Sequence, residues 1–148
     1  MEAGKTNTAM IKAFAWSGIL LVICLGVTQG LVMGFIPPPS PTLSPEELAQ
    51  IFIDRKIQIR FSTFAQCICY TFYGTWAIGI TMFIRRMERG LPVLTYACIA
   101  NAGGGYVFFL LMPITWAMLA FRPELMDPRF IQIMNDWVWF IFILSWPP

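Results

Sequence analysis

The chain alternates between long uncharged apolar blocks and short polar connectors. Residues 13–36, 61–84 and 91–121 each run without an Asp, Glu, Lys or Arg. A helix rises about 1.5 Å per residue, so about 20 residues cross a hydrocarbon core of about 30 Å, and each block is long enough. In lipid the backbone must satisfy its own hydrogen bonds, which leaves the helix as the form such segments take. The pattern predicts an all-α fold, a polytopic transmembrane helix bundle. Residues 1–148 are expected to form a single membrane domain with spans at about 13–36, 61–84 and 91–121.

A fourth block, 130–148, holds WVWFIFILSW, but Asn135 and Asp136 interrupt it and it ends in Pro147-Pro148. Its purely apolar part is too short to span alone. Either a helix begins near Phe130 and carries Asp136 inside, or the chain stops partway through a partial fourth span. Truncation at Pro148 is expected on this reading. Lys5 and Lys12 precede the first block as they would in a signal peptide. Its apolar core exceeds the roughly 7–15 residues of such a segment, however, and VTQGLVMG offers no small-residue cleavage site. An uncleaved first span follows.

The connector 37–60 is built, not slack. Proline removes a backbone donor and restricts the residue before it, so the first helix is expected to end at or before Ile36. Pro37, Pro38 and Pro39 with Ser40 and Pro41 then predict an extended polyproline-type arm. Ser44-Pro45-Glu46-Glu47 is a helix start: Ser44 as N-cap, Pro45 in the first turn, Glu47 closing a capping box. Beyond it, Glu47, Gln50, Asp54 and Gln58 recur on one face, and Leu48, Ile51, Phe52 and Ile59 on another. This predicts an interfacial amphipathic helix between spans one and two, feeding a span at Phe61.

Basic residues divide evenly between the two sides that alternate spans define, so their density must decide orientation. RRMERG carries Arg85, Arg86 and Arg89 against Glu88 in a short loop, where the positive-inside rule acts most strongly. The loop and the N-terminus are therefore expected in the cytoplasm, and 37–60 and 122–129 outside.

Composition agrees with the block pattern: 57% of residues are apolar and only 12% charged, against about 25% charged in ordinary soluble domains. The net charge of +2 implies no nucleic-acid partner. The four cysteines all fall in predicted spans, where a thiol behaves as a small hydrophobe. Cys67 and Cys69 lie about 200° apart around a helix, too divergent to share a metal. The chain has no histidine, which removes the usual ligand for haem, zinc and non-haem iron and the usual base near neutral pH. No catalytic residue, metal site or cofactor is expected, and the chain is expected not to be an enzyme.

Polar residues at depth are few. Gln66 and Asn101 are expected to hydrogen-bond neighbouring helices, and Asp136 is the sole acidic candidate at depth. Gly103, Gly104 and Gly105 in NAGGGY allow close helix packing, leave room for a lipid tail or pigment, or loosen the helix. Pro113 should kink the same segment. With Pro37, Pro38, Pro39 and Phe52 of the connector, these residues are the packing and partner candidates.

The run GFIPPPSPTLSPEELAQIF, continuing to IRFS, resembles a pattern in a group of bacterial multi-spanning integral membrane proteins. There a first span precedes a Pro-rich outer loop, a Glu-Glu helix start and an Ile-Arg opening to the second span. The resemblance covers Gly34 to Ser62 and implies a bacterial multi-span protein, without an activity. The function expected is that of a non-catalytic accessory or structural subunit of a larger inner-membrane complex. Its partners would be lipids and other integral subunits, with a respiratory or photosynthetic complex among the candidates. A small transporter or channel component is the alternative.

Overall fold

In a computed structural model, residues 8–144 are described; Lys5 and the Pro147-Pro148 end of the fourth block lie outside them. The described residues are helices and connectors, with no strand among them. Helix α1 (Thr8–Leu25) continues through a π-helical segment, Gly26–Val32. Then come α2 (Pro45–Asp54), α3 (Lys56–Met87) and α4 (Val93–Leu119), a 3-10 turn at Pro123–Leu125, and α5 (Pro128–Leu144). Three stretches are long and apolar enough to cross a membrane: Ala9–Val32, Lys56–Met87 and Val93–Leu119. Helix α4 carries Pro113 inside it, buried, without a break in the helix.

The first helix ends at Val32, before its prolines are reached. Gly34 turns the chain at φ 71°. Met33 N donates to Thr28 O and Phe35 N to Gln29 O, both at 2.9 Å, which closes the helix end. Glycine is favoured at 34 because this positive φ is one L side chains rarely adopt; the Arg55 guanidinium occupies the space a Cβ would take. The arm is less regular than a polyproline helix. Leu43 N donates to Ser40 O at 3.2 Å and the Ser40 and Thr42 hydroxyls meet at 2.8 Å, so it closes in a turn just before α2.

Ser44 caps α2 as its sequence implies. Glu47 N donates to Ser44 Oγ at 3.2 Å and Ser44 N to Glu47 Oε2 at 2.8 Å. The amphipathic helix does not run on to Gln58. It stops at Asp54; Arg55 leaves helical geometry, and Lys56 opens α3 well ahead of Phe61. The reason is tertiary, since the charged heads of residues 55–60, though partly in solvent, reach acceptors on other segments. Arg55 Nη1 donates to Met33 O at 3.5 Å, and Lys56 pairs with Glu124 at 2.5 Å.

Helix α3 lies between α1 and α4, with α5 against α4 and α2 across α5. Helix α1 packs extensively on neither α4 nor α5, so the helices form an open row and not a closed four-helix bundle. The core gathers at one end of the row. It joins Met33 and Phe35 after α1, Leu48 and Phe52 of α2, Ile59 at the start of α3, Met112, Trp116 and Leu119 at the end of α4 with Ala120 just beyond it, and Ile131 and Val138 of α5. Phe35 is its pivot, edge-on to Phe52 (centroids 5.7 Å apart) and to Trp116 (5.4 Å). Such contacts add about 0.5–1.5 kcal/mol beyond area burial. Trp116, fully buried, donates Nε1–H to Asn135 Oδ1 at 3.1 Å, while Nε1 of Trp139, packed against the same core, is buried with no partner among the described residues.

Along the rest of the row, α1 and α3 touch through two glycines. A Cβ at Gly79 would stand 2.5 Å from Phe14 Cβ, and one at Gly18 2.6 Å from the Trp76 ring. Hydroxyls on these helices mostly turn back on their own turns: Ser17 to Phe14 O, Thr81 to Ala77 O and Thr115 to Leu111 O. Ser62 instead crosses to Thr28 O at 2.5 Å, tying α3 to the π-helical segment.

Candidate functional site

Charged side chains close both ends of α4. At its start, Glu88 accepts from Leu94 N (2.7 Å), Thr95 N (3.2 Å) and Thr95 Oγ1 (2.7 Å). It takes up amides that a helix N-terminus leaves orphaned and sits at the positive end of the helix dipole. At the far end, Arg60 Nε donates to Ala120 O at 2.8 Å and Nη2 to Phe121 O, with the guanidinium 5.5 Å from the Phe121 ring centroid. A cation thus meets the last carbonyls. Arg60→Met is expected to lower stability by about 1–2 kcal/mol, from the loss of two charge-assisted bonds at a solvent-facing site. An SDS titration of the folded protein in dodecylmaltoside measures it, and an unchanged midpoint would remove Arg60 as a cap.

Desolvation pushes the Glu88 carboxyl up, but the bonds from Thr95 and Leu94, with Arg85 near, outweigh it and hold the group below the usual carboxylate value. A depressed folded value means the cap contributes fully above the ordinary carboxylate pKa of about 4.3 and is lost as pH falls through the folded value. Amide exchange at Leu94 and Thr95 is therefore expected to accelerate, relative to other α4 amides, below about pH 4. Glu88→Gln should flatten that dependence. Equal acceleration in both proteins would contradict the assignment. The Lys56 hydrogen bond likewise holds Glu124 below the usual range.

Between α3 and α4, toward the 88–92 loop, the row opens into a groove of about 690 Å³. Asn101, Gly104 and Gly105 line it from α4; Tyr73, Trp76 and Thr81 line it from α3, and Phe108 and Phe109 lie at one end. Gly103 and Gly104 meet nothing within 4 Å of a Cβ position, while Gly105 lies 2.6 Å from the Tyr73 hydroxyl on the same measure. Gly103 and Gly104 thus face open space. Gly105 stands at a close α3–α4 contact, as helix packing through these glycines implies, and the tight α1–α3 contact is made by Gly18 and Gly79, which carry no distinctive sequence signal.

Gln66 is fully buried in α3. Its Nε2 donates to Ser62 Oγ at 3.2 Å and lies 3.9 Å from Met33 Sδ, and its Oε1 has no partner among the described residues. Asn101 is exposed, with no hydrogen-bond partner among the described residues. Phe52 is fully buried in the core. Pro37 and Pro38 are exposed, and Pro39 is half-buried. Pro38, Pro39, Leu43 and Leu48 form one wall of a smaller cavity of about 230 Å³, with Gln132, Asp136 and Trp139 of α5 opposite. Gln132 Nε2 donates to Leu43 O at 3.2 Å and pins the arm there. Asp136 is exposed on α5 at the edge of that cavity. The structure therefore brings Asp136 and the prolines together, while Asn101 and the glycines lie together elsewhere, on α4. No group of three or more His, Cys, Asp or Glu that could hold a metal ion occurs among the described residues.

No known protein family, curated protein or solved structure matches the chain. Besides these two sites, the arm and α2 form a cap over the core.

Proposed function

We propose that the chain is a multi-pass protein of the bacterial inner membrane and a non-catalytic accessory subunit of a larger integral membrane assembly. The observation that carries this reading is the cap. Its inner side supplies Phe35, Leu48 and Phe52 to the core. Its outer side presents Pro37, Pro38, Pro41, Thr42, Glu46 and Gln50 on a path held by the capping box and Gln132. A surface already ordered before binding loses little conformational freedom on docking, which favours protein association. Several charged groups at this end are used in structure: Glu47 is spent on Ser44, and Lys56 and Arg60 of α3 on Glu124 and the end of α4.

A cytoplasmic N-terminus is part of the same reading. Arg55, Lys56 and Arg60 at the cap end bind protein acceptors. At the opposite end Arg86 and Arg89 have no hydrogen bond or ion pair among the described residues, and Arg85 reaches only Glu88 O, at 3.4 Å. The Arg122 and Arg129 guanidinium groups at the cap end also lack a hydrogen bond or ion pair among the described residues. The orientation therefore rests on the density of arginine in the short 88–92 loop region, which positive-inside sorting retains in the cytoplasm.

Purification of the native protein in mild detergent tests the reading. Stoichiometric integral-membrane companions are expected, and they should be lost from a Thr42→Arg variant that keeps its thermal stability. A chain that purifies alone, as monomer or homo-oligomer, would end the proposal.

A further inference from the structure

The smaller cavity, between the arm and α5, has a donor built into its floor. Asn135 is 3% exposed, and its Oδ1 accepts from Trp116 Nε1. An indole N–H can only donate, so this bond fixes which end of the carboxamide is oxygen and turns the –NH2 away from Trp116. That –NH2 has no hydrogen-bond partner among the described residues, yet it is not sealed. Asn135 lines the cavity, and the little surface it keeps opens there. The other polar groups of the lining have defined states. Ser40 Oγ is engaged with the Thr42 hydroxyl and amide. Gln132 commits its Nε2 to Leu43 O, which leaves Oε1 as its free end. Trp139 Nε1 is unpartnered but sealed. Asp136 contributes an exposed carboxylate with no ion pair or hydrogen bond among the described residues, and no Lys or Arg lines the cavity. Proline and aliphatic side chains make up the rest.

We propose that this cavity of about 230 Å³ seats the headgroup of a primary-ammonium phospholipid, of the phosphatidylethanolamine type. A phosphate oxygen accepts from Asn135 Nδ2–H, and the ammonium pairs with Asp136 and donates to Gln132 Oε1. The inference rests on the membrane-spanning part of the reading above and not on its subunit part. With Ala9–Val32 and Lys56–Met87 crossing the bilayer, the arm that joins them lies at headgroup level. Ile143, further along α5, lines the end of the cavity toward the hydrocarbon, where the acyl chains continue.

A buried donor beside an exposed carboxylate selects among occupants. A Lys or Arg side chain of a partner carries donors only and would leave Asn135 unmet. An apolar partner helix, or the apolar face of a second copy, would cover both polar groups without satisfying either. An anionic phospholipid would set its net charge against Asp136, and a quaternary ammonium offers that carboxylate no N–H. A zwitterion with a primary ammonium meets both.

The test uses the full chain, delipidated in dodecylmaltoside and followed by native mass spectrometry. Phosphatidylethanolamine, phosphatidylcholine and phosphatidylglycerol of identical acyl chains are added in turn. One ethanolamine lipid is expected to be held about fivefold more tightly than either of the others, the upper end for an exposed charge pair. Asp136→Asn should remove that preference at an unchanged thermal midpoint, because the side chain is exposed. Asp136→Lys should turn the preference toward the glycerol lipid. Asn135→Asp keeps an oxygen for Trp116 and removes the donor, so it should weaken binding of all three about tenfold. If that variant does not fold, the two Asp136 variants decide. Equal retention of the three lipids by the parent would mean annular lipid only and would overturn the proposal, as would a preference that survives Asp136→Asn. Displacement of the lipid by an equal concentration of soluble phosphoethanolamine would assign the cavity to a free solute and overturn it too. The isolated chain suffices for this measurement, so its failure is separable from an absence of companion subunits in native membranes.

Discussion

Phe35→Ala is expected to cost about 3–5 kcal/mol, the range for removing a fully buried aromatic ring. The ring is buried in the core between Phe52 of α2 and Trp116 of α4, with Met33 two residues before it equally buried. Its loss removes the contact that joins arm, α2 and α4, and the arm has little else to hold it. The Arg55 bond to Met33 O is long, and the Gln132 bond to Leu43 O lies at the arm's other end. The unfolding midpoint in SDS should fall sharply, and proteolysis should begin between residues 36 and 43, while α1 and the α3–α4 hairpin stay helical by circular dichroism. Phe35→Leu, which keeps most of the apolar volume, should lose far less. If Phe35→Ala kept the parental midpoint and protease resistance, the connector would be a slack linker.

Replacing Gly79 with leucine is expected to part α1 from α3 at a cost of about 3 kcal/mol, the upper part of the range for overpacking. Even a methyl group at this position would stand 2.5 Å from Phe14 Cβ, and a leucine has no direction of escape along a helix whose neighbour is already in contact. Gly103→Leu is the control. It has the same change in volume on a neighbouring helix but faces open space, and helix propensity favours leucine over glycine by up to about 0.8 kcal/mol. The pair should therefore move stability in opposite directions, read by the SDS midpoint and by loss of a Phe14–Gly79 proximity crosslink. A destabilising Gly103→Leu alongside a neutral Gly79→Leu would show that the NAGGGY glycines, and not Gly18 and Gly79, form the tight interface.

The contrast between those glycines shows where sequence reading runs out. Three consecutive glycines in a span are conspicuous, and Gly18 and Gly79 are not. Close approach depends on which residue of another helix arrives opposite, and no spacing within one segment contains that information. The charged residues show the same divide. The Ser44–Glu47 capping box was legible because both partners lie within one turn of chain. Glu88 and Arg60 cap α4 just as directly, yet their partners are set by the loop geometry after α3 and by a contact sixty residues away. Asp136 drew notice as an acid in an apolar run. Its position opposite the prolines depends on how α5 docks under the arm.

Local rules were sufficient for the helical character of the chain, for its three stretches of membrane-crossing length, and for the start of α2. Composition, length and i-to-i+3 geometry act within a segment and need no neighbour. Packing alone set the rest: the break at Arg55, the open row, the core at one end and the groove at the other. Each of these turns on a side chain from one element occupying space, or satisfying a backbone group, on another. In a chain whose helices are apolar nearly all round, hydrophobicity does not say which face meets which. The few glycines, carboxamides and charged heads that fit in only one arrangement supply that information.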